Sequence, residues 1–111
     1  MDRSILIKQL KDIFIAINHS EKRYTRVWLT DMDYGGLYYS GQYILCAIAA
    51  PHIRVYSPEI KYLIDLLSEK LGKEKFSLIN KVVVYLDTEQ VYNTDRDDII
   101  LYNDEVASQA A

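Results

Sequence analysis

At 111 residues, half of them hydrophobic, the chain suits one domain around one core and is too apolar for an intrinsically disordered segment. The 16 acidic against 13 basic residues leave a formal charge of -3, which argues against a phosphate backbone as the main partner. The lone Cys46 excludes an internal disulfide and fits a reducing, cytoplasmic setting. Asp2, Arg3, Lys8, Lys11 and Asp12 interrupt the start of the chain, so it reads as neither a signal peptide nor a membrane span. The longest apolar run, residues 43–51, is far shorter than the roughly 20 residues a bilayer requires.

In chain order, Leu6, Leu10, Ile13, Phe14 and Ile17 recur at helical spacing opposite Lys8, Lys11 and Asp12, which predicts an amphipathic helix of about four turns. Ile5, Ile7 and Ile15 widen its apolar stripe beyond the need of one packing partner. The segment RYTRVWLTDM alternates β-branched and aromatic residues and reads as a strand, with Gly35 and Gly36 turning the chain back. LYYS is then a second strand, Gly41 a bulge or bend, and QYILCAIAA a third, apolar on both faces as an inner strand would be. In YSPEI, Ser57 is placed to cap a helix, Pro58 to start it and Glu59 to meet its positive end. Ile60, Leu63, Ile64, Leu67 and Leu71 carry that helix to Gly72, where a left-handed residue closes it. KEKFSLIN is a connector with at most a helical turn, and KVVVYLD and DDIILYN are the last two strands.

The expectation is an α+β fold: a mainly antiparallel sheet of about five strands with two helices on one face, in the order α-β-β-β-α-β-β. One domain spans 1–111, with 104–111 a frayed tail.

Candidate sites are few. Asp31 and Asp33 lie two apart on one strand and would share a face, where a divalent cation could bind, but no His or Glu cluster stands near them. The plainer role is that Asp33 opens the turn. Asp95, Asp97 and Asp98 form a second acidic cluster without the glycine and distal glutamate of a calcium loop, and read as a solvated loop. His19 and His52 lack the spacing of metal or nucleophile partners. Cys46 lies in the most apolar run, where a thiol is inert. No dinucleotide or phosphate-loop glycine pattern is present, and no cofactor or resident metal is implied.

The tyrosines stand out, with 10 against two phenylalanines. Each buried phenol needs a hydrogen-bond partner, so this preference points to rings with one wet edge, as at protein interfaces. Tyr34, Tyr38, Tyr39 and Tyr43 are the densest group, and with Trp28 they are the candidate partner-binding residues, with Arg26, Glu59 and Asp95 as rim charges. Between residues 31 and 53 there is no Lys or Arg, unlike the aromatic sheets that bind RNA.

The chain thus reads as a small cytoplasmic protein-binding, regulatory or adaptor module, a homodimer, rather than an enzyme. A metal-dependent hydrolase or nuclease built on the two acidic clusters is the alternative. A nucleic-acid module using Lys8, Lys11, Lys22, Arg23 and Arg26 is the third reading. No motif assigns a family. In element order alone the chain resembles the small acidic dimeric chaperones of type III secretion and, more loosely, roadblock-like scaffolding domains, and neither resemblance carries a residue role over.

Overall fold

The computed structural model of the chain describes residues 3–33, 39–86 and 99–103. Helix α1 (Arg3–Ser20) leads into β1 (Tyr24–Asp33), which pairs antiparallel with β2 (Tyr39–Ala49). Helices α2 (Ser57–Leu71) and α3 (Lys73–Phe76) carry the chain to β3 (Ile79–Tyr85), and β4 (Ile99–Asn103) completes the described elements. The order across the sheet is β3-β2-β1-β4. The fold is α+β, as expected, with one mixed sheet.

Two features of the expected sheet need correction. Among the described residues there are four strands and not five, because the second and third predicted strands are a single strand, β2. Its register passes from Asp31↔Tyr43 to Asp33↔Tyr39, two steps along β1 against four along β2. The surplus around Gly41 is absorbed as a bulge, so the glycine bends the strand without ending it. The sheet is also mixed: two of its three pairings are antiparallel, as expected, but β3 runs parallel to β2 because the α2–α3 segment returns the chain to the same end of the sheet before β3 begins.

The helices pack where the sequence periodicity points. Leu6, Leu10 and Phe14 of α1 and Leu63, Leu67 and Leu71 of α2 form one buried cluster with Val27 and Leu29 of β1, Tyr43, Leu45 and Ala47 of β2, and Leu101 of β4. All of these are at most 5% exposed. At ~1.5–3 kcal/mol for each large aliphatic or Phe side chain, this layer is the main source of stability. Ile7, Ile13 and Ile17 lie against its margin, whereas Ile5 and Ile15 remain 49% and 55% exposed.

The start of α2 also differs from expectation. Tyr56, and not Ser57, is the N-cap, and no side chain caps the helix. The Tyr56 carbonyl accepts from the N–H groups of Glu59 and Ile60 at 3.0 and 3.1 Å, which closes the first turn from the backbone alone. At the other end Gly72 has φ 84° and ψ 161°, and its N–H donates to the Ser68 carbonyl at 3.1 Å. The positive φ was foreseen, but the extended ψ lies in a region that only glycine occupies without strain.

These geometries give opposite outcomes for two substitutions. Gly72→Ala should lower stability by about 1–3 kcal/mol through backbone strain, since a new Cβ there meets no atom within 4 Å. Ser57→Ala should stay within about 0.5 kcal/mol of the unaltered protein in chemical denaturation, because no cap bond is lost.

Candidate partner-binding surface

Residues paired across strands lie on the same side of a sheet, so the register defines the face turned away from the helices. One row across it is Val83–Cys46–Trp28–Ile100, and the next is Tyr85–Ile48–Arg26–Asn103. A third row runs Lys81–Ile44–Thr30. Among the described residues no helix covers this face, since the buried apolar residues of α1 and α2 all belong to the cluster on the other side.

The face is organised by its aromatic residues. The rings of Trp28 and Tyr85 stack with centroids 6.1 Å apart and planes at 3°. They come from β1 and β3, so the stack spans β2, the strand between them. The Arg26 guanidinium carbon lies 5.3 Å from the centre of the Trp28 ring, a cation–π arrangement. Trp28 and Cys46 are 4% and 5% exposed. Ile44, Ile48, Val83 and Tyr85 are half-buried, and Ile100 is 38% exposed. These three rows contain Arg26 and Lys81 and no acidic residue, in a chain whose formal charge is -3.

The sequence-derived candidates are distributed differently. Trp28 lies at the centre of this face. Tyr43 is 3% exposed on the opposite side, within the helix-covered core, because it alternates with Leu45 and Ala47 along β2. Tyr39 begins β2 opposite Asp33. Tyr34 and Tyr38 lie outside the described residues, as do Asp95, Asp97 and Asp98. The backbones of Asp31 and Asp33 lie in β1. Among the described residues no three His, Cys, Asp or Glu side chains are grouped to hold a metal ion. Tyr85 went unnoticed in the sequence because its strand, KVVVYLD, carried no other chemistry. Only a parallel β3 beside β2 brings it to Trp28.

A second polar constellation joins the first helix, the first strand and the second helix. Asn18, near the end of α1, accepts at Oδ1 from the backbone N–H groups of Arg23 and Tyr24 at 2.9 and 3.1 Å. Its Nδ2 donates to the Tyr24 carbonyl at 2.9 Å, so one side chain holds the α1–β1 turn. Arg23 then donates through NH2 to Glu59 Oε1 at 2.5 Å and through NH1 to Glu21 at 3.1 Å. His52 Nε2 lies 3.3 Å from the other oxygen of Glu21. Glu59, expected as a rim charge, is only 9% exposed, because Arg23 draws it inward. The Tyr24 hydroxyl donates to the same Glu59 oxygen at 3.4 Å, and its ring meets Phe14 edge-on at 5.6 Å. Hydrogen bonding to Glu59 raises the Arg23 pKa above its ordinary value. Burial, and then the negative charge of Glu59, push the Tyr24 phenol up to about 12. These contacts tie Glu59 Oε1 to Arg23 and Tyr24 and join the first strand to the second helix, so the constellation acts as a structural latch.

Tyr24 therefore couples folding to alkaline pH. Its folded pKa is raised above the ordinary 10, so its contribution is fully present below pH 10 and disappears as pH rises through about 12. Denaturation midpoints measured from pH 9 to 12 should fall more steeply for the unaltered chain than for Tyr24→Phe, which has no phenol to ionise. Parallel slopes would mean that Tyr24 ionises as it does in the unfolded chain.

No family model, no curated protein and no solved structure matches this chain.

Proposed function

We propose that the chain is a cytoplasmic protein-binding module, working as a homodimer, whose partner contact is the sheet face centred on Trp28 and Tyr85. The observation that carries this reading is the aromatic stack with Arg26 against it, on a face that no described helix covers. Stacked aromatics beside an arginine, ringed by aliphatics, are the composition of energetic centres in protein interfaces. Arg26 and Lys81 lie in the outer two of the three rows, with the apolar row between them. That arrangement suits an acidic amphipathic segment: apolar side chains against Tyr85, Ile48 and Ile100, over the buried Trp28, and carboxylates toward the two cations.

The basic residues support a protein partner over nucleic acid. Lys8 is engaged by Asp12, Arg23 by Glu21 and Glu59, and Arg26 by the Trp28 ring, which does not leave the contiguous positive face that a phosphate backbone rewards. The buried Cys46 suits a reducing compartment. No helix among the described residues is long and apolar enough to cross a membrane.

Trp28 is the only tryptophan, so its emission reports on this face directly. Titration with a designed amphipathic peptide, leucines on one side flanked by glutamates, should give a saturable emission change. The same peptide with lysines in place of glutamates should bind roughly tenfold more weakly or worse, and Arg26→Glu should reverse that preference. Equal responses to both peptides, or none to either, would remove the reading. A response to a single-stranded oligonucleotide alone would favour the nucleic-acid alternative.

A further inference from the structure

The solvent side of α1 carries a pattern that the core does not use. Ile5, Lys8, Asp12 and Ile15 recur at intervals of three, four and three residues, the spacing of a coiled-coil seam. They lie opposite the buried stripe of Leu6, Leu10 and Phe14. Ile5 and Ile15 are among the most exposed large hydrophobic residues described, and the side chains of Lys8 and Asp12 are 77% and 62% exposed. Beside this stripe a groove of about 400 Å³ opens between α1 and α2, its floor formed by Ile13, Ala16, Ile17, Tyr62 and Leu66 and its polar lining by Asp12, Ser20 and Lys70.

We infer that this stripe is the contact between two copies of the chain, with α1 packed antiparallel on its twin about a two-fold axis near Leu10. An antiparallel two-fold contact pairs residues whose numbers have a constant sum. With the axis at position 10, Ile5 meets the second copy's Ile15, and Lys8 meets the second copy's Asp12, each pair occurring twice. The flanking pairs are Ser4 with Ala16 and Gln9 with Lys11, so no like charges oppose one another. Parallel packing in register would instead set Lys8 on Lys8 and Asp12 on Asp12. Charge complementarity thus selects the antiparallel arrangement and a second copy as the occupant. In the isolated chain Lys8 and Asp12 bond one another along the helix at 3.2 Å, a solvated i,i+4 pair of small value. Across the interface each can also serve the other copy. The 18-residue helix is ~27 Å long, and the groove and Tyr62 widen the contact beyond one helix width. The sheet face with Trp28 lies on the opposite side of each copy, away from this contact.

This inference rests on the homodimer reading and specifies its surface. Sedimentation equilibrium should find a mass near twice 12.9 kDa at micromolar concentration. The double variant Ile5→Ser, Ile15→Ser should sediment as a monomer with unchanged circular dichroism, since both side chains are exposed. Lys8→Glu and Asp12→Lys should each weaken self-association by roughly tenfold, as two attractive contacts become repulsive. An equimolar mixture of these two variants should regain the dimer. In the mixed pair the new carboxylate at position 8 of one chain faces the new ammonium at position 12 of the other, and the native Lys8–Asp12 contact is kept on the opposite side. Only contacts between chains can produce that recovery; effects within one helix cannot. A dimer indifferent to the isoleucines, or variants that fail to recover on mixing, would overturn this surface while leaving the homodimer reading in place. A monomer throughout the micromolar range would remove both.

Discussion

The sheet has two faces and the two long helices occupy one of them, so the organisation of the other face depends on its own side chains. Trp28 and Tyr85 meet this constraint by lying across β2, and Arg26 packs against the Trp28 ring. Cys46, beside Trp28 in the same row, is 5% exposed. Rings held parallel over an apolar strand lose little side-chain freedom when something else covers them, since the stack has already ordered them.

The helix-covered face is built in the ordinary way, by aliphatic stripes from α1 and α2 against β1 and β2. Its orientation is fixed by polar contacts at one corner. Asn18 sets the turn from α1 into β1, and the Arg23–Glu59 pair anchors the first turn of α2 to the start of β1. A carboxylate this buried is tolerable because an arginine, a tyrosine hydroxyl and the positive end of a helix all face it. Removing one partner would leave the other's charge poorly solvated, which makes the corner more important for arrangement than for net stability. The latch also holds α1 and α2 in fixed relation, and the groove between them depends on that relation.

Much of the fold was legible because it rests on periodicity. The 3.6-residue stripe of α1, the Pro58-to-Gly72 span of α2 and the alternation in β1 each express local geometry that the side chains must satisfy whatever surrounds them. The inner position of β2 followed from apolar residues at successive positions. Less legible were the features that depend on which strand lies beside which. Tyr39 and Ser40 run on through Gly41 into the apolar strand because a pair of strands can carry a bulge at a glycine, and no single strand's pattern reveals that. The parallel pairing of β3 came from the path of the connection, which local residue preferences do not encode.

The candidate surface divides along the same line. Composition pointed to aromatic rings at an interface, and Trp28 could be singled out from its own strand. Which tyrosine joins it was decided in three dimensions: Tyr43 faces the core with Leu45 and Ala47, which the helices cover, and Tyr85, ordinary in its local sequence, came across β2 to stack on Trp28. Glu59 changed from a helix-end charge to a buried anion for a similar reason, since Arg23 is 36 residues away in sequence. The sequence by itself determined the elements, their apolar faces and the kinds of side chain available to a surface, because those follow from neighbours along the chain. Only the tertiary structure decided which of those side chains share a surface, because strand register and helix docking set distances that local spacing leaves open.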